Sequence, residues 1–359
     1  MTKDKNLHCQ RKVFNDPRTG REVWQVTDWD ADQMTAYMYA QAFSKDERYL
    51  VFQSDRGERQ ALYRLELETG AVIELSDEAG SSKSMNMHPD GEEVYYVDVA
   101  QRGLRAANVY TLQRRLVAAI DRPDWKKIAG TPGFSGDGRK VCCSFHTEDK
   151  RGGVAVAECA GAPFEEAFRR EEDIQHVQFC PGPGYLISFA VSPDYQNQKD
   201  RPRADRARAW KLDCETRKAE PFLVMPPGFR ATHEFWNRQG TRLFFHKKTV
   251  PQWIPNWVCS IDVNGGDFRE HFRSDTRRLG HSCLSRDNAW LASDSQDPGE
   301  NEIVLVNLKT GVSEVLCWPN ASIAINKHIH PSFSPSGTKI LYTSDASGKM
   351  QIFIVPLKM

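Results

Sequence analysis

Charge of one sign is missing from this 359-residue sequence, in which 48 Lys and Arg residues balance 48 Asp and Glu residues. A net charge of zero argues against a whole surface built for nucleic acid or an anionic membrane, and leaves only local basic patches open. Long apolar runs are missing too, so no segment reads as a membrane-spanning helix. The opening "MTKDKNLHCQ" lacks the apolar stretch of a secretory signal. The nine cysteines, an odd number, include no C-x-x-C pair. That argues against a zinc ribbon or a disulfide framework and for reduced thiols in a cytoplasm. No G-x-S-x-G occurs either; "GFSGDG", with Ser135, reads as a turn and not as a nucleophile elbow. Nothing in the sequence calls for a nucleic acid, a membrane or an obligate protein partner.

What is present is a repeat. "AFSKDERYLVFQSD" (42–55) and "SFSPSGTKILYTSD" (332–345) share one template: an apolar residue, a small residue, turn residues with Gly or a substitute, then a β-rich run. Weaker copies begin around Met87, Phe134, Phe179, Trp236 and Leu284. With Phe43 and Phe333 these give seven anchors, spaced by 44, 47, 45, 57, 48 and 49 residues. Each unit reads as short strands separated by turns rich in Gly, Pro, Asp and Asn. Seven such units at this period predict an all-β chain, a seven-bladed β-propeller of about four strands per blade. The last unit ends after its third strand, "QIFIVPL", whereas "REVWQVT" (21–27) precedes the first unit as an orphan strand. The expected arrangement is a ring closed by that N-terminal strand completing the last blade, which removes two exposed sheet edges. Residues 1–20 then read as a lead-in and 21–359 as a single propeller domain.

Only ten histidines occur, and four fall at one phase of the repeat. His176, His233, His281 and His330 each stand three residues before an anchor, in the fourth to seventh units; Ala40, Ser84 and Thr131 hold that place in the other three. In a propeller this phase is expected at the start of the innermost strand, where equivalent positions converge at the mouth of the channel. His328, two residues from His330, can point to the same side of its strand. Imidazoles gathered this way suit a divalent metal or a general base near neutral pH. The remaining histidines, His8, His88, His146, His246 and His271, read as structural. The long segment "VSPDYQNQKDRPRADRARAW" carries Lys199, Arg201, Arg203, Arg206 and Arg208. Of these, Arg208 opens the next strand and is expected to be fixed. Arginines beside a metal and a histidine base suit an anionic substrate, with a carboxylate matching the guanidinium fork.

"THEFW" (232–236), "HIHPSFSPSG" (328–337) and the first unit, from "GREVWQVTDWD" to "GAVIEL", resemble the bacterial oligogalacturonate lyases over almost the whole chain. The resemblance implies a cytoplasmic seven-bladed propeller that binds a divalent metal, most often Mn2+, and splits short pectin fragments. Carried onto this sequence, it implies His281, His328 and His330 as metal ligands, His233 as catalytic base, and Arg208, two residues before Trp210, as a catalytic and substrate-binding arginine. His176 joins Arg208 as a substrate-binding residue through its place in the column. The sequence departs from the family at two points. Ile325 stands where the family carries a Gln ligand three residues before the H-x-H, with Asn326 beside it. "FAVSPDY" stands where the family carries a His-Glu pair after an aromatic.

The chemistry implied is β-elimination. The C5 proton of a uronate is α to a carboxylate and too weakly acidic for a side chain to remove unaided, so a Lewis acid on the carboxylate and a neutral imidazole base are both needed. No carboxylate pair is required, which separates this reaction from glycoside hydrolysis. Two alternatives stay open: a non-catalytic TolB-like propeller serving as a binding or scaffold module, and a lyase acting on a different uronate oligomer.

Overall fold

The computed structural model describes residues 7–57, 59–76, 82–99, 102–149, 151–192, 196–297, 300–324 and 327–357. These form seven antiparallel sheets, the blades of a seven-bladed β-propeller, with one 3-10 turn at Ala204–Arg206 and no α-helix among the described residues. Among the described residues no helix is long and apolar enough to cross a membrane.

Blades 2 to 6 are four-stranded and run outward in chain order from a first, inner strand. Those inner strands are Ser82–Met87, Trp125–Phe134, Asp173–Phe179, Phe229–Trp236 and Leu279–Leu284. Blade 7 is built from both ends of the chain. Its inner strands Ser332–Phe333 and Lys339–Ser344 lead to Gln351–Pro356, and Glu22–Gln25 then pairs antiparallel beside that last strand, with Trp24 opposite Ile354 and Gln25 opposite Phe353. The N-terminal strand therefore completes the last blade. A hairpin partner, Lys12–Asn15, adds a fifth strand outside it, and Leu7–His8 adds an outer strand to blade 1 beside Ala71–Glu74.

The turn chemistry explains the repeat template. In blade 1 the Ser44 hydroxyl donates to Asp46 (2.6 Å), whose carboxylate also accepts from the Arg48 amide. Ser135 with Asp137 and Ser285 with Asp287 repeat this in blades 3 and 6. Four residues after the anchor the turn needs a left-handed backbone: Gly91, Gly138, Gly240 and Gly337 have φ of 65–78°, and the non-glycine substitutes Glu47 and Asn288 adopt 57° and 59°. Second strands such as Tyr49–Ser54 are buried along their whole length, because neighbouring blades cover both faces. Outer strands such as Lys218–Leu223 are half exposed. Six of the seven anchors are buried, and Leu284 is half-buried.

The chain divides into two compact units: residues 1–100, 106–115 and 280–359 form one, and 101–105 with 116–279 form the other.

Candidate metal centre and catalytic cluster

The inner strands do not begin at the histidine phase; His176, His233 and His281 lie within their strands and His330 just ahead of its own. The ladder to the second strand shifts register between Gln175 and Gln178 in blade 4 and between Thr232 and Phe235 in blade 5. His176, His233 and His330 all have positive φ, 54°, 56° and 47°. Such a bulge breaks the in–out alternation of a strand and re-aims a side chain. A β-carbon held at positive φ costs of order 1–3 kcal/mol, and such strain clusters at functional sites.

In the first unit three rings converge. Ligand atoms of His281, His328 and His330 all lie within 4.8 Å of one another. The His281 ring centroid is 4.3 Å from that of His330 and 5.2 Å from that of His328. Two imidazole donors on opposite sides of one ion stand about 4.2 Å apart at bonds of about 2.1 Å, so the three can close on a single ion with small side-chain rotations. The surroundings favour this. Asp294, buried beneath His281, accepts from its backbone amide (2.6 Å) and from its Nδ1 (2.8 Å). A carboxylate only accepts, so Nδ1 carries the proton and Nε2 keeps its lone pair, the usual support for a metal-binding imidazole. Burial alone would raise the Asp294 carboxyl, but its contacts with His281 hold it down at about 2. Burial first, then the neighbouring His281, depresses both His328 and His330, the latter well below the ordinary imidazole value. Both are thus neutral near pH 7, the form that binds a metal. The Nδ1 of His328 is buried with no hydrogen-bond partner among the described residues, an unpaid desolvation that a bound ion or its water shell would relieve.

The packing around the triad is close. A β-carbon on Gly280 would stand 2.4 Å from the Gln296 side chain and 2.6 Å from Asp294 Oδ1, so only glycine lets the second strand approach His281 this nearly. The Tyr37 ring lies edge-on to His330, with centroids 4.7 Å apart, and 5.9 Å from His281. Ile325 and Asn326, at the family's Gln ligand, lie outside the described residues.

The second unit holds the other three candidates. Arg208, buried just ahead of the strand Ala209–Asp213, donates through Nε (2.7 Å) and Nη2 (3.3 Å) to both oxygens of Glu234. His176 Nδ1 stands 3.5 Å from the same carboxylate. Glu234 thus brings Arg208 and His176 together. Burial would raise its carboxyl, yet the Arg208 guanidinium beside it, with His176, holds it well below the usual carboxylate range. His233 is the residue before Glu234. Its Nδ1 is buried, and the residue as a whole is half-buried. Its ring lies 6.1 Å, edge-on, from the fully buried His246. The buried Gln196 amide bonds to Ala231 in both directions, at 2.7 and 2.9 Å, and pins the arginine-bearing loop to the His233 strand. Of that loop's basic residues, Lys199 and Arg203 are exposed and only Arg208 is buried. Pro193, Asp194 and Tyr195, in the stretch that departs from the family, lie outside the described residues.

His8, His88, His146 and His271 are held by Thr69, Asp90, Asp173 and Ser260. Glu234, Asp294 and Tyr37 were not singled out from the sequence. Glu234 sits inside the quoted "THEFW", and Asp294 ends its unit's copy of the template; Tyr37 carries no repeat signal.

No protein-family model matches the chain. The oligogalacturonate lyase of Dickeya dadantii (strain 3937) is 24% identical, across 99% of this chain and 98% of that one. The oligogalacturonide lyase of Pectobacterium atrosepticum is 22% identical at the same coverage. Over its full length, this chain is similar to oligogalacturonate lyases. Among solved structures, an oligogalacturonate lyase in complex with manganese superposes with a TM-score of 0.87 at 19% identity, covering 99% of this chain and 98% of that chain. The oligogalacturonate lyase of Vibrio parahaemolyticus superposes at 0.84 with the same identity and coverage. Both have the propeller fold described above.

Proposed function

We propose that this chain is a metal-dependent lyase that cleaves short oligogalacturonides by β-elimination and leaves an unsaturated uronate. The observation that carries the reading is the convergence of His281, His328 and His330, with Asp294 fixing one tautomer, in a chain similar end to end to oligogalacturonate lyases. These three residues would hold a divalent ion, Mn2+ being the one bound in the superposed lyase. When bound, such an ion would supply Lewis-acid polarisation of the substrate carboxylate, lowering the acidity barrier at C5. His233 takes the C5 proton; the C5 electron pair forms the C4–C5 double bond as the C4–O bond breaks and the glycosidic oxygen leaves. Arg208, fixed by Glu234, orients a substrate carboxylate, and His176 lines the same position. The fork geometry of Arg suits this better than a lysine would.

The substrate is read as a product of pectin breakdown, and the compartment as the cytoplasm. All nine cysteines are free thiols and eight of them are buried, as in a reducing environment. The TolB-like binding module has no comparable support, since the two relatives matched end to end are both lyases. The test is metal analysis of the purified chain followed by incubation with digalacturonate and trigalacturonate. Near-stoichiometric metal and new ultraviolet absorbance from the conjugated product support the reading. A fully metal-loaded chain that yields no unsaturated product from either oligomer rejects it.

A further inference from the structure

One residue along the chain from His328, and in the same unit, Lys327 lines a cavity of about 160 Å3 together with Asp32, Gln53, Asp55 and Gln60. That is room for about five waters at about 30 Å3 each, the scale of one sugar ring rather than an oligomer. Its lining combines an ammonium, two carboxylates and two amides, and no step of the elimination uses any of them. The carboxylates are anchored at one oxygen: Asp32 Oδ1 accepts from the Met350 amide (2.9 Å), and Asp55 Oδ1 from the Asp32 amide (2.8 Å). The second oxygen of each accepts no hydrogen bond from a described residue. The lysine is loosely held. Its Nζ stands 3.7 Å from Asp345 Oδ2, whose carboxylate is already committed to the amide and hydroxyl of Ser322 at 2.7 and 2.6 Å.

We infer that this cavity is a subsite for a second uronate ring, the neighbour of the ring whose carboxylate meets the histidine triad, with Lys327 selecting it by its charge. The inference rests on the lyase reading. A galacturonate ring carries a vicinal pair of hydroxyls on one edge and a carboxylate on another. Asp32 and Asp55 accept from hydroxyls and repel a carboxylate, so they admit the ring in one sense only. Lys327 then receives the carboxylate, and the Gln53 and Gln60 amides, which both donate and accept, serve the remaining oxygens. A neutral galactose ring matches the carboxylate edge of this lining but brings no carboxylate to the lysine, whose ion pair with Asp345 is long, at 3.7 Å.

The test compares Lys327→Met and Lys327→Arg with the unaltered chain. Kinetics are read on the metal-loaded protein with digalacturonate. Calorimetry is read on chelator-treated protein, where digalacturonate is not consumed, with neutral α-1,4-digalactose as the control ligand. Hydrogen bonds to charged groups carry about ten- to a hundredfold in affinity. Lys327→Met is therefore expected to raise KM for digalacturonate about tenfold or more, to leave kcat within about twofold, and to weaken calorimetric binding by a similar factor. Lys327→Arg should restore most of the loss, with digalactose binding and metal content unchanged throughout. An unaltered KM in Lys327→Met, equal weakening of both ligands, or loss of metal would overturn the subsite while the lyase reading stood. A wild-type chain that neither binds nor cleaves digalacturonate would remove both together.

Discussion

Blades 6 and 7 and blades 4 and 5 place histidines at the same phase of the same repeat, yet the two regions are electrostatically unlike. The hairpin bonds Ser285–Trp290 and Asn237–Arg242 align the second strands. They put Asp294 and His246 at equivalent positions, each beneath the inner-strand histidine of its blade. In blade 6 the acid lies under the imidazole and fixes its tautomer. In blade 5 a second imidazole lies there, and the acid, Glu234, has moved onto the inner strand, where it binds Arg208 instead. The same second-strand position in blade 7 is Thr343, which donates to the backbone carbonyls of His328 and Ile329. One backbone frame therefore yields a cluster of imidazoles over a buried carboxylate or a histidine beside a buried arginine–glutamate pair. What decides between them is the residue one strand outward.

The sharpest way to separate the two regions is to remove one imidazole from each. His281→Ala or His330→Ala should lose bound metal and lower elimination by about 10³ or more, since Lewis-acid stabilisation of several kcal/mol goes with the ion. His233→Ala should keep full metal content and lose about 10²–10⁴ in single-turnover rate. Loss of metal from His233→Ala would merge the two clusters into one site and end the division of roles. Metal content and rate, measured on the same preparations, decide it.

The buried ion pair of the second region predicts a stability effect. Glu234→Gln leaves the buried Arg208 without its carboxylate and should cost about 3–5 kcal/mol in chemical denaturation, much of it recovered when Arg208→Met is added. The pH dependence has a definite sign. A carboxyl whose folded value is depressed stabilises the fold fully above its unfolded value of about 4.3, and the contribution is lost as pH falls through the folded value. Acid unfolding of the Glu234→Gln variant should therefore be less steep below about pH 4 than that of the unaltered chain. A smaller change is expected from Asp294→Asn. The fold should persist while metal affinity falls about 10- to 100-fold, as is usual when an outer partner of a ligating imidazole is lost. Competition with a chelator of known affinity measures it, and an unchanged affinity would mean that the ring is positioned by packing alone.

The sevenfold pattern was legible because each unit must spend residues on the same turn. Ser44 with Asp46, and a left-handed residue at Glu47, recur as Ser285 with Asp287 and Asn288, and this periodic need shows in the letters. The orphan strand before the first unit was legible for a related reason: blade 7 lacked an outer strand, and an unpaired edge demands a partner. The partners of the histidines were not legible. Glu234 and Asp294 support them through contacts between strands, and the positive φ of His176, His233 and His330 leaves no mark in the order of residues. Nor does any spacing link Lys327 to Gln53 and Gln60, which come from the far end of the chain.

The sequence by itself determined the number of blades, the closure of the last one, and the column of histidines, because each follows from local turn chemistry repeated at a fixed period. Only the tertiary structure decided which members of that column gather with His328 into one cluster and which stand beside a buried ion pair. The side chains that make the difference are brought close by packing, and burial then multiplies the strength of every charge and hydrogen bond among them.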